Sequence, residues 1–329
     1  MEDVVVAGSG VTGLAVALAM ARRGARVRVC DPAPLGDNAS GVAAGMLAPA
    51  FEAALDPMSA THFELLKTAR DLWPSFAPVE IDRTGAVFVC DAHTVEAAAE
   101  RLSAIGAAHR PASEELSPLG GISSGVFTGE DWRLEPAAAL RVLRDEAQAA
   151  GVEFSEELVT GTSSGTLVLA TGAASGPAPE LSDLTPIKGH ILRLSGGPTS
   201  GPVIRGEGVY ICPSAKGAVV GGTMEEGASD RAVDEGRIKT LQEAAQDVVP
   251  ALRGVTGSAS AAVRAGTPDG LPLVGWSAEP GVFLTVGARR NGWLLAPLVA
   301  AITAAYLAGE DPGPFAGQLD ARRFVKGDR

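Results

Sequence analysis

Cysteine and histidine are scarce in this chain of 329 residues. Its three cysteines, Cys30, Cys90 and Cys212, form no C-x-x-C pair and follow no secretory signal. A disulfide framework is therefore not expected, and a reducing cytosol is. The four histidines, His62, His93, His109 and His190, show no metal-ligand spacing, so no metal site is expected. Basic residues are also few. The 27 Lys and Arg face 39 Asp and Glu, a net charge of −12, which disfavours nucleic acid or an anionic membrane as a general partner.

Glycine is the residue in excess: 41 of them, roughly 12% against an average of about 7%. No G-X-Y period accompanies them, which excludes a collagen-like chain. With 46% apolar and 20% charged residues the chain can bury a large core, in one large or two interleaved domains. Two charge-free stretches invite a membrane reading. Residues 4–21 follow Glu2 and Asp3 rather than a basic segment and are interrupted by glycines. Residues 292–309 contain Pro297, Thr303 and many alanines. Both read as helix-containing segments buried in an α/β protein, and no membrane partner is expected.

The run Val4 to Ala7 is continuously apolar, as a parallel strand covered on both faces requires. A helix follows from Val11 to Arg23, closed by Gly24, and then a strand from Arg26 to Cys30. Further helices are predicted over Met58–Leu72, Val95–Ile105, Pro136–Ala150 and Arg237–Val248, and from Gly292 onward. Strands are predicted over Gly85–Cys90, Val152–Phe154, Thr166–Ala170, Ala259–Arg264 and Val282–Val286. Between Ile187 and Met224, period-2 runs broken by glycine and proline predict antiparallel sheet.

Gly8-Ser9-Gly10-Val11-Thr12-Gly13 is a G-x-G-x-x-G turn between a predicted strand and a predicted helix. The first glycine permits the tight turn, the second admits a pyrophosphate to the backbone, and the third lets helix and strand pack closely. Asp31, ending the second strand, is placed for a ribose. These features predict a dinucleotide, and Asp31 disfavours a 2′-phosphate. The next clear parallel strand lies far downstream at Thr166 to Ala170 and runs into Thr171-Gly172, a spacing that favours FAD over a nicotinamide.

The segment Ala39-Ser-Gly-Val-Ala-Ala-Gly-Met-Leu-Ala-Pro49 resembles the S-x-x-A-A-G-M-L motif of the D-amino-acid oxidase superfamily, most closely its glycine oxidases of thiamine biosynthesis. Further blocks of that family follow in order at Thr185–His190, Val209–Pro213, Val220–Met224, Arg264–Gly270 and Gly287–Pro297. The resemblance implies an α/β fold: a Rossmann-like (GR2-type) FAD-binding domain with an interleaved antiparallel α+β substrate domain. The expected boundaries are 1–79, 132–178 and 262–329 for the former, and 80–131 with 179–261 for the latter. By the same resemblance Val11 and Thr12 lie at the pyrophosphate, Asp31 at the ribose and Val159 at the adenine. Ser40, Ala44, Gly45 and Met46 line the flavin, with Gly172 and Gly292 letting backbone approach it. Residues Ala288 to Leu294, including Asn291 and Trp293, wrap its ring system. Arg264 holds the substrate carboxylate with help from Tyr210, Arg290 stands near the substrate, and Met224 closes the pocket.

The implied activity is oxidation of a small amino acid by dioxygen through non-covalent FAD. An expected absence of cysteine near the flavin-facing motifs is the reason for the non-covalent reading. Two departures from the family pattern, Ala288 in place of His or Tyr and Ala265 in place of Pro, leave substrate size open. A dehydrogenase passing electrons to a quinone or carrier, and a non-catalytic flavin-binding protein, are the alternatives. Oligomeric state stays open. Two G-x-S-x-G matches, at 121–125 and 161–165, lack the strand–turn–helix context of a nucleophile elbow and are read as chance.

Overall fold

The computed structural model describes residues 3–116, 124–159, 161 and 165–324. Both G-x-S-x-G matches lie largely outside the described residues. The Val4–Ala7 strand forms the middle of a six-stranded sheet, in the order Leu273–Trp276, Val282–Val286, Thr166–Leu169, Val4–Ala7, Val27–Cys30 and Glu153–Ser155. Every neighbouring pair is parallel except the first, which is antiparallel. Alternation along these strands divides the apolar residues between two cores. Val6, Val29, Val168 and Phe283 face one, while Ala7, Leu167, Leu169 and Leu284 face the other.

Against the first face lie the helices Val11–Arg22, Pro136–Ala149 and Gly292–Ala308, with Phe63–Phe76 packed behind the last of them. The Gly292–Ala308 helix is buried almost all round, from Trp293 to Ala305, which explains its lack of charge. Among the described residues no helix is long and apolar enough to cross a membrane.

A second, nine-stranded sheet holds the period-2 runs. Thr185–Leu194 pairs along its full length with Gly257–Gly266 on one edge and with Gly217–Gly221 on the other. Val209–Ser214, Val203–Gly206, Ala86–Val89 and Gly125–Thr128 continue the sheet outward. Val203–Gly206 beside Ala86–Val89 is a parallel pair within a largely antiparallel sheet. The Gly257–Gly266 strand belongs to this sheet and crosses the boundary expected at 262.

The helix predicted at Met58 begins later. Asp56 accepts the Met58 amide at 3.2 Å and sets a 3-10 turn at Pro57–Ser59, so the α-helix runs Phe63–Phe76. A helix at Pro49–Leu55, unmarked by the sequence pattern, is held by a distant residue. The buried Asp131 carboxylate accepts the Ala50 and Phe51 amides at 2.8 and 3.2 Å, satisfying two donors that a helix start leaves open.

Candidate active site

The glycine turn is shaped first by the protein itself. Gly8 has φ +110, and a Cβ there would overlap the Ala170 carbonyl of the neighbouring strand. A Cβ on Gly13 would overlap the Gly8 carbonyl. Gly10 differs: its Cβ would meet only the Ser40 hydroxyl, at 3.2 Å. Gly8 and Gly13 therefore close the strand–helix packing, and Gly10 keeps space open above the helix start. The Val11 amide donates to Ser40 Oγ at 3.0 Å. The other first-turn amides have no acceptor within the helix, so this end favours an anion.

A cavity of about 520 Å³ begins here. Gly8, Gly10, Val11, Thr12, Asp31, Val159, Gly172, Ala288 and Gly292 line it. Asp31 accepts from the Ser9 amide and hydroxyl at 2.7 and 2.8 Å and from the Ala33 amide at 2.9 Å, so it also fastens the turn. A second cavity, of about 340 Å³, shares Ala39, Ala262 and Arg264 with the first. Ala44, Gly45, Met46, Tyr210, Met224, Arg290, Asn291 and Trp293 line it. The Trp293 indole donates to the Ser40 carbonyl at 3.0 Å, and the Trp73 indole donates to the Trp293 carbonyl at 2.9 Å.

Two of the residues expected at the site serve the packing. Leu294 is buried in the helical core and lines neither cavity. At Gly45, φ is +77 and a Cβ would overlap the Leu134 carbonyl, so the demand for glycine comes from the protein backbone. One expectation is corrected. The fold brings Cys212 beside the flavin-facing motif, with Sγ 3.6 Å from the Ala44 carbonyl. Burial pushes this thiol up to about 12, and it lines neither cavity. A thiolate is therefore not at hand for a covalent link.

Three polar side chains of the second cavity, Arg264, Tyr210 and Arg205, share one face of the nine-stranded sheet. Register places Arg264 opposite Ile187, Ala262 opposite Gly189, Ile191 and Tyr210 opposite Gly221, and Tyr210 opposite Arg205. Since side chains alternate along each strand, all of these project together. Two glycines make room. A Cβ on Gly189 would overlap the Arg264 guanidinium, and one on Gly221 would overlap the Tyr210 phenol.

Arg264 spends one hydrogen bond on the protein, Nη2 to the Thr223 carbonyl at 2.7 Å. Burial pulls its guanidinium below the ordinary arginine range, against the opposing pull of Tyr210. Thr223 is held by the wholly buried His190, whose amide donates to Thr223 Oγ1 at 2.9 Å. The His190 Nε2 accepts the Asp234 amide at 3.0 Å, so Nδ1 carries the proton and faces Glu225 Oε1 at 2.9 Å. Arg290 is paired with Glu52, and with Asp56 at 3.0 Å. Burial pulls its guanidinium down, but Glu52 and Asp56 together outweigh that, and the net shift is upward.

Burial pushes the Tyr210 phenol up to about 12, against the pull of Arg264. A raised acid stays protonated, so Tyr210 remains a hydrogen-bond donor throughout the neutral and mildly alkaline range. Tyr210→Phe is expected to lower kcat/KM about tenfold or more, the range for a hydrogen bond to a charged group. The alkaline limb of the pH profile below about pH 11 should keep its position, because the phenol does not titrate there. A limb that vanished in this variant would contradict the assignment.

Glu52, Asp56 and Arg205 also stand in or beside the cavity and were not expected from the sequence. One signal was available. Glu52 and Arg205 are lone charges in apolar surroundings, Ala48 to Leu55 and Val203 to Gly206, like Arg264 in its own strand.

A profile of the family described as FAD dependent oxidoreductase matches residues 3–306. The glycine oxidase of Pseudomonas putida is 28% identical over 96% of this chain and 98% of its own length. The bifunctional protein ThiO/ThiG of Trichormus variabilis is 29% identical over 99% of this chain, which spans only 55% of that larger protein. Among solved structures, glycine oxidase from Geobacillus kaustophilus superposes with a TM-score of 0.85 at 22% identity, covering 99% of each chain.

Proposed function

This chain belongs to the FAD dependent oxidoreductase family, and on that premise we propose that it is an amino-acid oxidase acting on a small amino acid: glycine, sarcosine or a small D-amino acid. The products are the 2-oxo acid, ammonia or an amine, and hydrogen peroxide. The residues present suit FAD. The open Gly10 position and the helix start favour the pyrophosphate, and the two cavities are neighbours, with Ala39, Ala262 and Arg264 in the walls of both. Bound FAD supplies a hydride acceptor that dioxygen can reoxidise.

The observation that carries the reading is Arg264, a half-buried guanidinium in the walls of both cavities with one protein hydrogen bond among the described residues. An unanswered buried cation is costly, and a bidentate carboxylate answers it. With the carboxylate on Arg264 and the Tyr210 hydroxyl donating beside it, the α-carbon is turned toward the flavin end of the cavity, a positioning effect. Met224 lines the pocket, where it suits closing it over the substrate, and the aliphatic wall of Ala44, Met46 and Ala48 would limit water. No side chain is assigned as an acid or base, since an amine that binds neutral needs none. A role in thiamine biosynthesis rests on the motif blocks shared with the glycine oxidases of that pathway.

The test is anaerobic addition of glycine, sarcosine or D-alanine to the FAD-loaded protein, followed by air. Bleaching of the flavin and then stoichiometric peroxide are expected. Bleaching without peroxide would identify a dehydrogenase, and no bleaching with any amine would leave a flavin-binding protein without turnover.

A further inference from the structure

Arg264 takes its direction from a single bond. Its guanidinium lies over Gly189, where a Cβ would overlap Nη2, and among the described residues only the Thr223 carbonyl accepts from it, at 2.7 Å. A long, flexible side chain fastened at one point is aimed by whatever holds that point.

Thr223 sits where the sheet is interrupted. On the edge opposite Gly257–Gly266, the strand Thr185–Leu194 pairs Ile191 with Gly221 and Lys188 with Glu225. Gly189 and His190 therefore face three residues, Gly222, Thr223 and Met224, and the extra residue breaks the ladder as a β-bulge does. The His190 amide, which a regular ladder would give to a carbonyl, donates to Thr223 Oγ1 at 2.9 Å. A side-chain oxygen thus does the work of the main chain, and the Thr223 carbonyl is left for Arg264.

The hydroxyl is itself fixed. Thr223 Oγ1 donates to Glu225 Oε1 at 3.0 Å, and His190 Nδ1 faces the same carboxylate oxygen at 2.9 Å. His190 is wholly buried, and its Nε2 accepts the Asp234 amide at the start of the helix Glu235–Val248. Being next to Gly189 in a strand, it stands on the opposite face from the Arg264 guanidinium.

We propose that Thr223 is a positioning residue: held by His190 and Glu225, it aims the Arg264 guanidinium so that its remaining donors meet the substrate carboxylate already oriented. The inference rests on the amino-acid oxidase reading, in which Arg264 binds that carboxylate. Orienting the fork beforehand removes the cost of ordering a rotamer-rich side chain as the substrate binds.

The FAD-loaded protein is titrated with acetate, a carboxylate without an amine, and binding is read from the flavin spectrum. KM is measured for whichever of glycine, sarcosine or D-alanine bleaches the flavin. Thr223→Val, which replaces the hydroxyl by a methyl, is expected to weaken acetate and raise KM about tenfold or more, with flavin still bound. Thr223→Ser keeps the hydroxyl and should stay within about threefold of the wild type. An ammonium is a point charge with no fork to aim, so in an Arg264→Lys background Thr223→Val should cost no more than about threefold. A residue that merely supports the pocket wall would cost the same in both backgrounds. Should Thr223→Val fail to hold flavin, Glu225→Met decides: it leaves the hydroxyl, removes its acceptor, and should weaken acetate about threefold or more. Acetate affinity and KM unchanged in these variants, or equal losses in the two backgrounds, would overturn the inference and leave the oxidase reading standing. Failure of every amine to bleach the wild-type flavin, with no response to acetate, overturns the oxidase reading and this assignment with it.

Discussion

Arg264→Ala is expected to raise KM for the amino-acid substrate by about 30- to 4000-fold, matching the roughly 2–5 kcal/mol seen when one partner of a buried charge pair is removed. The effect should fall on KM more than on flavin content. Among the described residues the Arg264 guanidinium hydrogen-bonds the Thr223 carbonyl alone, whereas the glycine turn that shapes the nucleotide end follows a strand of the other sheet. The variant should therefore remain yellow. Arg264→Lys should recover part of the loss, because an ammonium keeps the charge but not the two-donor fork. Steady-state kinetics and a competing carboxylic acid would check this. An unchanged KM in the alanine variant would remove Arg264 from the substrate site.

The second large effect belongs to the glycine turn, where three neighbouring glycines have separable roles. Gly8→Ala combines a strained positive φ with overlap of the Ala170 carbonyl, and Gly13→Ala drives a methyl into the Gly8 carbonyl. Neither obstacle is a side chain that can rotate away. A loss of about 3–5 kcal/mol is expected for Gly8→Ala, combining backbone strain and overpacking, and about 1–3 kcal/mol for Gly13→Ala from overpacking alone. At roughly 2–4 °C per kcal/mol, the fall in Tm is about 6–20 °C for the first and about 2–12 °C for the second. Gly10→Ala should leave the Tm of the FAD-free protein within about 1 °C, since a methyl there is not opposed by backbone. Its cost should appear as weaker FAD binding, measured by flavin fluorescence on titration. Equal melting losses for Gly10→Ala and Gly8→Ala would contradict this division of roles.

Much of the FAD end was legible because its demands are local. A covered parallel strand must be continuously apolar, a turn against a neighbouring carbonyl must be glycine, and the helix start follows at once. Period-2 runs located the antiparallel sheet, but both of its faces are covered, with Cys212 and Val219 packed on one side and Ile211 and Val220 on the other. Local pattern failed where a partner from far along the chain decides. The helix Pro49–Leu55 depends on Asp131, and the later start of Phe63–Phe76 depends on the Asp56 turn. Cys212 meets Ala44 only because the Val209–Ser214 strand passes the distant segment that carries Ala44.

The sequence by itself determined the Rossmann-like opening, most of the longer helices and strands, and Arg264 as a charge needing a partner, because each follows from residues adjacent in the chain. Only the tertiary structure decided which charges are already answered. Arg290, expected near the substrate, lines the cavity but is engaged by Glu52 and Asp56, while Arg205, marked in sequence only as a lone charge in an apolar run, is paired with Glu52 at 3.9 Å. The physical reason is that a charge's partner is fixed by sheet register and helix packing, which set distances between residues that the chain itself keeps far apart.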